Sequence, residues 1–187
     1  MNKCSTNKAI FLDRDGVINE DFGYVSSIKD FVFKRGIFKT LLAAQKKGYK
    51  LFVITNQSGI GRGFFTEDDY RKLTDWMIAE FKRRRITITD CMHSPYHPEE
   101  GIGKYKKNHI TRKPNPGMIN LLSKKHSIDL PSSILIGDKI SDIEAGTKAN
   151  IRSNFLIDNK IQINPLKYKR LKFIQIRHIS EVIKFFR

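Results

Sequence analysis

The chain carries, at residues 9–16, the stretch Ala-Ile-Phe-Leu-Asp-Arg-Asp-Gly, in which an apolar run stops at two carboxylates and a glycine. A continuous apolar run, as opposed to an alternating one, is typical of a parallel strand that is buried on both faces. In open α/β sheets the ligand site lies at the carboxyl ends of such strands. The stretch therefore predicts a first strand over Ala9–Leu12 and the start of a functional site directly after it.

Apolar runs of the same kind recur along the chain, and each ends in a polar or small residue. They predict five further strands, at Lys50–Ile54, Thr87–Met92, Ser133–Ile136, Ser153–Ile157 and Lys172–Ile176. The helical spacing of apolar residues predicts helices over Gly36–Lys47, Thr66–Arg85, Asn115–His126, Ser141–Ala149 and Ile179–Phe186. This alternation predicts an α/β fold with a doubly wound, Rossmann-like parallel sheet flanked by helices.

Residues at the helix ends refine these boundaries. Thr66 and Asp69 are a candidate capping box, since a threonine hydroxyl and an acid three residues later can satisfy each other's free N–H groups. Pro116 is expected at the first helical position, and Ser141 is expected to cap its helix. Gly48 is expected just past the first helix, where the left-handed backbone favours glycine.

Length and composition exclude several protein classes. With 187 residues, of which 40% are hydrophobic and 29% charged, the chain has an ordinary globular balance and the length of one domain, residues 1–187. Its two cysteines, Cys4 and Cys91, form no Cys-x-x-Cys pair, which excludes a disulfide scaffold and a cysteine-rich zinc module. No apolar run approaches the ~20 residues of a membrane span or the core of a signal peptide. We therefore expect a cytoplasmic protein without membrane contact.

Polar side chains at the predicted strand ends form a specific chemical set. Asp13 and Asp15 follow the first strand, Thr55 the second and Asp138 the fourth, while Lys113 precedes a helix. Two carboxylates this close repel each other unless they share a cation, and Mg²⁺ takes few protein ligands and completes its shell with water and phosphate oxygens. Each residue alone is more often a cap, a loop residue or a solvated side chain. Together at one sheet edge they predict phosphoryl chemistry.

Each member of the set has a role in such chemistry. Asp13 is the candidate nucleophile that attacks phosphorus. Asp15 is the candidate acid and base that protonates the leaving oxygen and later activates water. Thr55 and Lys113 are candidates to hold the phosphoryl oxygens as charge redistributes.

These residues resemble the four motifs of the haloacid dehalogenase superfamily. Residues 11–19 resemble motif I, Thr55 motif II, Lys113 motif III and residues 137–142 motif IV. Within the superfamily, the chain is most similar to the D,D-heptose 1,7-bisphosphate phosphatases, of which the histidinol-phosphate phosphatases are near relatives. The stretches that carry this closer resemblance are Asp21–Val25, Thr55–Gly63, Arg112–Met118 and Gly137–Lys139. The resemblance extends from about Ala9 to Asp158, is expected to continue to Arg187, and involves no large insertion.

The resemblance implies an activity and a cofactor. It implies a phosphatase that removes the 7-phosphate of D-glycero-D-manno-heptose 1,7-bisphosphate through an aspartyl-phosphate, in the synthesis of nucleotide-activated heptose for lipopolysaccharide. Mg²⁺ is expected to be held by Asp13, by Asp15 through its backbone carbonyl, and by Asp138.

The resemblance also implies where the substrate binds. No separate cap domain fits this length, so loops at about 16–35 and 94–114 are expected to shape specificity. Asp142 is expected to orient Lys139 or a metal-bound water. Substrate contacts are implied for Asp21, Phe22, Gly23, Tyr24, Thr55, Asn56, Gln57, Ser58, Arg112, Lys113 and Lys139.

One departure from the family concerns a structural metal. Many relatives hold zinc in the long loop with a Cys-x-His pair and a later Cys-x-Cys pair, whereas this chain has Ser94-Pro95-Tyr96 and His109-Ile110-Thr111 there. Of these six residues only His109 is a zinc ligand, and a re-wired site would need Cys91, His93 and His97. We expect no structural zinc and a loop that is either held by packing and hydrogen bonds or mobile until substrate binds.

The basic excess leaves alternatives open. Lys and Arg number 35 against 19 acidic residues, a net charge of +16, and this suggests anionic partners. Histidinol phosphate is the rival small substrate, and a polynucleotide 3′-phosphatase or a nucleic-acid-associated protein is the alternative of another class. The basic stretch 160–187 contains the aromatics Tyr168 and Phe173, but Phe173 is expected in the core of a strand and no recognised module is present, so nucleic acid is not the expected partner. We expect a monomer that takes a phosphorylated small molecule.

Overall fold

A six-stranded parallel sheet forms the centre of the computed structural model, which describes residues 7–157 and 171–186. The strand order is β3-β2-β1-β4-β5-β6, so the chain winds outward from β1 in one direction and then in the other. This is the predicted doubly wound topology. The strands are β1 Ala9–Leu12, β2 Lys50–Asn56, β3 Ile88–Ser94, β4 Ile134–Gly137, β5 Ser153–Ile157 and β6 Ile174–Ile176.

Helices cover both faces of the sheet. The α-helices are α1 Ile37–Lys46, α2 Ser58–Gly61, α3 Glu67–Arg83, α4 Gly117–His126 and α5 Ile140–Lys148. Short 3₁₀ helices lie at Ile28–Asp30, Gly103–Tyr105, Leu130–Ser132 and Ile179–Phe185. The helices α1 and α3 and the last 3₁₀ helix pack on one face, and α4 and α5 pack on the other.

The first strand sits at the centre of this core. All four residues of β1 are 0% exposed. Successive side chains of a strand point to opposite faces of the sheet, and helices cover both faces here. Ile10 and Leu12 join the α1/α3 layer, while Ala9 and Phe11 join the α4/α5 layer. A strand buried in this way places the residues that follow it at a fixed point of the sheet edge.

Several helix starts differ from the sequence-based expectations. Pro116 occupies the cap position of α4 and not its first turn. Helix α5 begins at Ile140, and the carboxylate of Asp142, not the Ser141 hydroxyl, accepts a hydrogen bond from the cap residue's N–H at 3.0 Å. Ser141 is the second residue of the helix and so lies past the cap position, while Asp142 is at the third position, from which an acid can reach back to the cap residue's N–H. The expected capping box of Thr66 and Asp69 is confirmed.

The two long loops contain local structure of their own. In the first loop, Asn19 and Phe33 form an antiparallel bridge, and in the second, His97 and Lys106 form a parallel one. The second loop also donates a backbone hydrogen bond from Ile102 to α2. Among residues 7–157 and 171–186 neither loop grows into a separate cap domain, as expected.

Some expectations fall outside the described residues. Cys4 and part of the basic stretch 160–187, namely residues 160–170 and 187, lie outside the ranges that the structure describes. Within the described ranges, no helix has both the length and the apolar character that a bilayer crossing requires.

Candidate active site

The carboxyl edge of the central strands brings the predicted catalytic residues together. Because β1 lies between β2 and β4, Asp13, Thr55 and Asp138 follow or end three neighbouring strands. They surround or adjoin a cleft of about 450 Å³. The cleft is lined by Asp13, Asp15, Asp21, Gly23, Tyr24, Thr55, Asn56, Gln57, Ser58, Arg112, Lys113, Pro114, Lys139, Ser141 and Asp142.

A glycine makes this convergence possible. Gly16 has φ +86°, a left-handed conformation that L side chains rarely adopt. A Cβ at this position would lie 2.2 Å from the Oδ2 atom of Asp138. The Asp-x-Asp-Gly stretch therefore needs glycine both for the turn and for the close approach of β4.

A buried lysine and two carboxylates form the centre of the cleft. The Nζ atom of Lys113 lies 3.0 Å from Asp13 Oδ1 and 2.6 Å from Asp142 Oδ1, and all three side chains are less than a tenth exposed. Burial alone would lower the pKa of Lys113, but the two carboxylates raise it above its ordinary value. Burial raises the pKa of Asp13, although Lys113 partly offsets this effect. The arrangement holds a charged ammonium group beside the proposed nucleophile.

Neighbouring groups fix the position of Lys113. Its ammonium group also donates to the Ile54 carbonyl at 3.0 Å. The Asn56 amide accepts from the Lys113 N–H and donates to the Lys113 carbonyl, both at 3.0 Å. The predicted substrate contact of Asn56 stays a prediction. Its amide is bonded to the backbone of Lys113 and so fixes residues 112–114, which we call the lysine loop.

Three side chains hold the carboxylate of Asp15. Arg14 donates to both of its oxygens at 2.9–3.1 Å, and Asn19 and Gln57 each donate at 2.9 Å. The Gln57 amide also donates to the Thr55 hydroxyl at 2.9 Å. Sequence reasoning did not single out Arg14 and Asn19, although both lie in the motif that it quoted.

The acidic cluster fits a hard divalent cation. Asp13, Asp138 and Asp142 each offer an oxygen, and these oxygens lie within 4.8 Å of one another. Asp138 Oδ1 is buried without a hydrogen-bond partner among the described residues. Buried oxygens normally have a partner, and a bound cation would provide one for this atom. Burial and the nearby Asp13 raise the pKa of Asp138 to about 7. A carboxylate donor set of this kind suits Mg²⁺.

The structure adds a contact to the expected role of Asp142. The sequence predicted that it orients Lys139 or a metal-bound water. Its carboxylate forms an ion pair with the Lys113 ammonium group, with 2.6 Å between Asp142 Oδ1 and Lys113 Nζ, and accepts a hydrogen bond from the Lys139 backbone N–H. It therefore links the start of α5 to the central lysine.

We expect Mg²⁺ to bind more weakly at low pH. Asp138 must lose its proton to bind the cation, and with a pKa of about 7 its ionised fraction falls roughly tenfold between pH 8 and pH 6. Titrating Mg²⁺ against thermal stability across this range measures the effect. Asp138→Asn should bind Mg²⁺ weakly at both pH values, and an affinity in the wild type that does not change with pH would contradict the assignment.

The outer part of the cleft carries charged groups from both long loops. Lys139 Nζ lies 3.1 Å from Asp21 Oδ2, and Asp21 also accepts from the Gly23 N–H at 3.0 Å. Arg112 donates to the Tyr96 carbonyl at 2.8 Å. Phe22 is 65% exposed and does not line the cleft, so its predicted substrate contact has no support from this geometry.

One arginine outside the predicted set connects the two loops. Arg62, directly after α2, pairs with Glu100 at 2.6 Å and hydrogen-bonds the Tyr24 hydroxyl. Its guanidinium carbon lies 5.0 Å from the centroid of the Phe64 ring. Arg62 thus contacts both long loops beside the cleft: Tyr24 belongs to the first loop and Glu100 to the second.

The positions where relatives carry zinc ligands form a cluster held by other contacts. The rings of Tyr96 and His109 stack with centroids 4.0 Å apart. His109 Nδ1 lies 2.7 Å from the Thr111 hydroxyl, which donates to Ser94 at 3.2 Å. Ring stacking and hydrogen bonds thus connect these residues of the loop.

Alternative zinc ligands do not converge among the described residues. His93 pairs with Glu67 at 2.8 Å, His97 accepts the Glu100 N–H, and burial raises the pKa of the Cys91 thiol to about 12. The expected lack of zinc stays a prediction, and elemental analysis of the purified protein checks it. One tightly held zinc per chain would contradict it.

Comparisons with known proteins agree with this site. A family described as HAD-hydrolase-like matches residues 110–162. The D-glycero-alpha-D-manno-heptose-1,7-bisphosphate 7-phosphatase of Burkholderia mallei is 50% identical over 151 residues, which cover 81% of this chain and 80% of that protein. The D-glycero-beta-D-manno-heptose-1,7-bisphosphate 7-phosphatase of Helicobacter pylori is 44% identical over 96% of this chain and 97% of that protein.

A solved structure shares the fold. The D,D-heptose 1,7-bisphosphate phosphatase from B. bronchiseptica, crystallised with magnesium and phosphate, superposes with a TM-score of 0.81 at 24% identity and covers 95% of this chain and 97% of that one. The sequence relatives match most of the chain at well over 30% identity. The chain belongs to the heptose 1,7-bisphosphate phosphatase family of haloacid dehalogenase-like hydrolases, and it is a phosphoric monoester hydrolase.

Proposed function

We propose that this protein removes the 7-phosphate of D-glycero-D-manno-heptose 1,7-bisphosphate with Mg²⁺ as cofactor and Asp13 as nucleophile. The observation that carries the proposal is the buried Asp13 carboxylate 3.0 Å from the Lys113 ammonium group, at the inner end of a cleft lined with charged groups. The names of the relatives supply the substrate class.

The first half of the reaction transfers the phosphoryl group to Asp13. A carboxylate oxygen of Asp13 forms a bond to phosphorus, and the bond from phosphorus to the oxygen on C7 breaks. Asp15 gives its proton to that leaving oxygen, so that the sugar departs as an alcohol. Lys113 and Thr55 stabilise the charge on the phosphoryl oxygens.

The second half releases phosphate. Asp15, now ionised, takes a proton from water, and the water oxygen attacks phosphorus. The bond to Asp13 breaks, which restores its carboxylate and yields inorganic phosphate. Asp13, Asp138 and the Asp15 backbone carbonyl would hold Mg²⁺, and its charge would then offset the negative charge of the phosphoryl oxygens.

The outer cleft would recognise the rest of the sugar. In this proposal residues 1–187 act as one domain, and the loops at 16–35 and 94–114 take the place of a cap. Asp21, Gly23, Tyr24, Ser58, Arg112 and Lys139 line the cleft beyond the reacting centre, where ring hydroxyls and the 1-phosphate would lie. The product, a heptose 1-phosphate, suits activation by a nucleotide in the cytoplasm.

A phosphate-release panel tests the substrate. It contains both anomers of heptose 1,7-bisphosphate, histidinol phosphate and an oligonucleotide with a 3′-phosphate. We expect the highest kcat/KM on one of the heptose anomers, and the relatives include enzymes named for each of them. A higher kcat/KM on histidinol phosphate or on the oligonucleotide would overturn the proposed substrate.

Replacing Arg112 should affect the bisphosphate selectively. Arg112→Ala removes a guanidinium group at the cleft, and a lost charge-assisted contact of roughly 1.5–3 kcal/mol corresponds to about a 10- to 150-fold lower kcat/KM. Nitrophenyl phosphate has no remote group to bind, so its kcat/KM should change much less. Steady-state kinetics on both substrates measure this difference.

The control for Arg112 is Arg152→Ala, which removes an exposed arginine that does not line the cleft. It should leave both substrates unaffected. Equal losses on both substrates in Arg112→Ala would place Arg112 on the transferring phosphoryl group and would contradict the remote role.

A further inference from the structure

Arg14 is a buried charge that the mechanism above does not use. It lies between Asp13 and Asp15 in the sequence, and its side chain is 1% exposed. Arginine is almost never fully buried unless its charge is paired, because desolvating a guanidinium group is costly. The chain therefore keeps a charged group at the inner end of the cleft for a specific partner.

That partner is the carboxylate of Asp15. Arg14 Nε donates to Asp15 Oδ1 at 3.1 Å, and Arg14 Nη2 lies 3.0 Å from Oδ1 and 2.9 Å from Oδ2. Two nitrogens of one planar group thus engage both oxygens of one carboxylate. Such a fork fixes the orientation of the carboxylate as well as its place, which a single-point ammonium group does not do.

The same guanidinium group also holds the substrate loop. Nη2 donates to the Val25 carbonyl at 2.6 Å, directly after the residues expected to contact substrate. On another side, the Tyr70 ring lies 5.9 Å from the guanidinium carbon. Nη1 is buried without a hydrogen-bond partner among the described residues, so the hydrogen bonds of this group are those that Nε and Nη2 make.

We propose that Arg14 is a positioning residue for the acid–base step. It holds the Asp15 carboxyl group at the leaving oxygen and connects that group to the loop that binds the sugar. This inference rests on the acid–base role proposed for Asp15. Asn19 and Gln57 each give Asp15 a single hydrogen bond, whereas Arg14 binds both oxygens and sets the plane of the carboxyl group.

The test uses the leaving group. A sugar oxygen needs a proton to leave phosphorus, whereas nitrophenolate leaves without one. A misplaced acid should therefore slow the release of the sugar and not that of nitrophenolate. Arg14→Lys keeps the charge and loses the fork. We expect it to slow the single-turnover release of sugar from heptose 1,7-bisphosphate by about 10- to 100-fold, and that of nitrophenolate by less than about threefold.

The second step gives an independent readout. Asp15 also activates water, so Arg14→Lys should show a burst of about one nitrophenolate per active site, followed by slow turnover. The double variant Arg14→Lys/Asp15→Asn should be no slower than Asp15→Asn alone, because Arg14 would act only through Asp15. The control Arg71→Lys, an exposed arginine on α3, should behave as the wild type.

These outcomes separate the two proposals. If Asp15→Asn itself slows both substrates equally, the acid–base role of Asp15 fails. If Asp15→Asn shows the leaving-group difference and Arg14→Lys does not, or if the double variant is slower than Asp15→Asn, the role of Arg14 fails. If Arg14→Lys does not fold, as judged by the loss of a cooperative thermal transition, the same measurements are made on Arg14→Gln, which retains a planar donor.

Discussion

Replacing Asp13 by Asn should abolish turnover and leave the fold intact. An amide has nearly the same shape as the carboxylate but does not attack phosphorus, and it binds Mg²⁺ poorly. Loss of a covalent nucleophile should cost at least about 10⁴-fold in kcat. The backbone N–H of Arg14 donates to Asp13 Oδ1, with 2.7 Å between nitrogen and oxygen. The amide oxygen of asparagine can accept the same hydrogen bond, so the local turn should persist.

The stability of this variant provides a second measurement. Burial raises the pKa of Asp13, so its charge is unfavourable in the metal-free fold at every pH above the ordinary value of 3.8. A neutral amide removes that cost, so the metal-free Asn variant should melt at or above the wild-type temperature at pH 8. The advantage should shrink as pH falls and the wild-type carboxyl group takes up its proton.

A trapping experiment identifies the nucleophile directly. Labelled substrate quenched in acid should leave phosphate on Asp13 in the wild type and none in Asp13→Asn. Asp68→Asn makes the same chemical change on the exposed surface of α3 and should retain wild-type turnover. Undiminished phosphatase activity in Asp13→Asn would rule out the aspartyl-phosphate mechanism.

The sheet and the inner part of the site could be predicted because both depend on local patterns. Each buried strand is a short apolar run, and the residue after it lies at the sheet edge whatever the distant chain does. That rule places Asp13, Thr55 and Asp138 at one edge without knowledge of any contact. The Ile54 carbonyl that accepts from Lys113 and the Gln57 amide that donates to Asp15 were not predictable, because they come from segments 59 and 42 residues away in the chain.

The outer cleft was less predictable for the same reason. Arg62 meets Glu100 and Tyr24 only after both long loops have folded, and no periodicity marks such a meeting. The role of Asp142 was predicted in part: its place near the metal and Lys139 followed from the motif. Its bond to Lys113 required the actual placement of α5.

Replacing Lys113 by Met should have the second largest effect, because this change affects both catalysis and stability. The ammonium group contacts Asp13, Asp142 and the Ile54 carbonyl at 2.6–3.0 Å. A lost stabilising donor at the phosphoryl oxygens costs about 10²–10³-fold in kcat. Removing one partner of a buried charge pair costs about 3–5 kcal/mol, so the metal-free variant should melt well below the wild type.

The pH dependence of this loss separates charge from packing. Without Lys113, the buried carboxyl group of Asp13 loses the positive charge that partly offsets burial, so its pKa should rise further. The destabilisation should therefore be largest at pH 8 and should diminish as the pH falls and the buried Asp13 carboxyl group takes up its proton. Thermal denaturation of the metal-free proteins over this range measures it, and Mg²⁺ should restore part of the lost stability at pH 8 by replacing the missing cation.

Lys148→Met is the matched control for this change, because Lys148 also reaches the lysine loop, through the Pro114 carbonyl at 3.0 Å, but from the exposed surface of α5. Exposed charges contribute about 0–1 kcal/mol, so this variant should melt close to the wild type at every pH. If Lys113→Met lost the same stability at pH 5 as at pH 8, the lysine would act by filling space. A loss that grows with pH and is reduced by Mg²⁺ is the result that places its charge among the carboxylates.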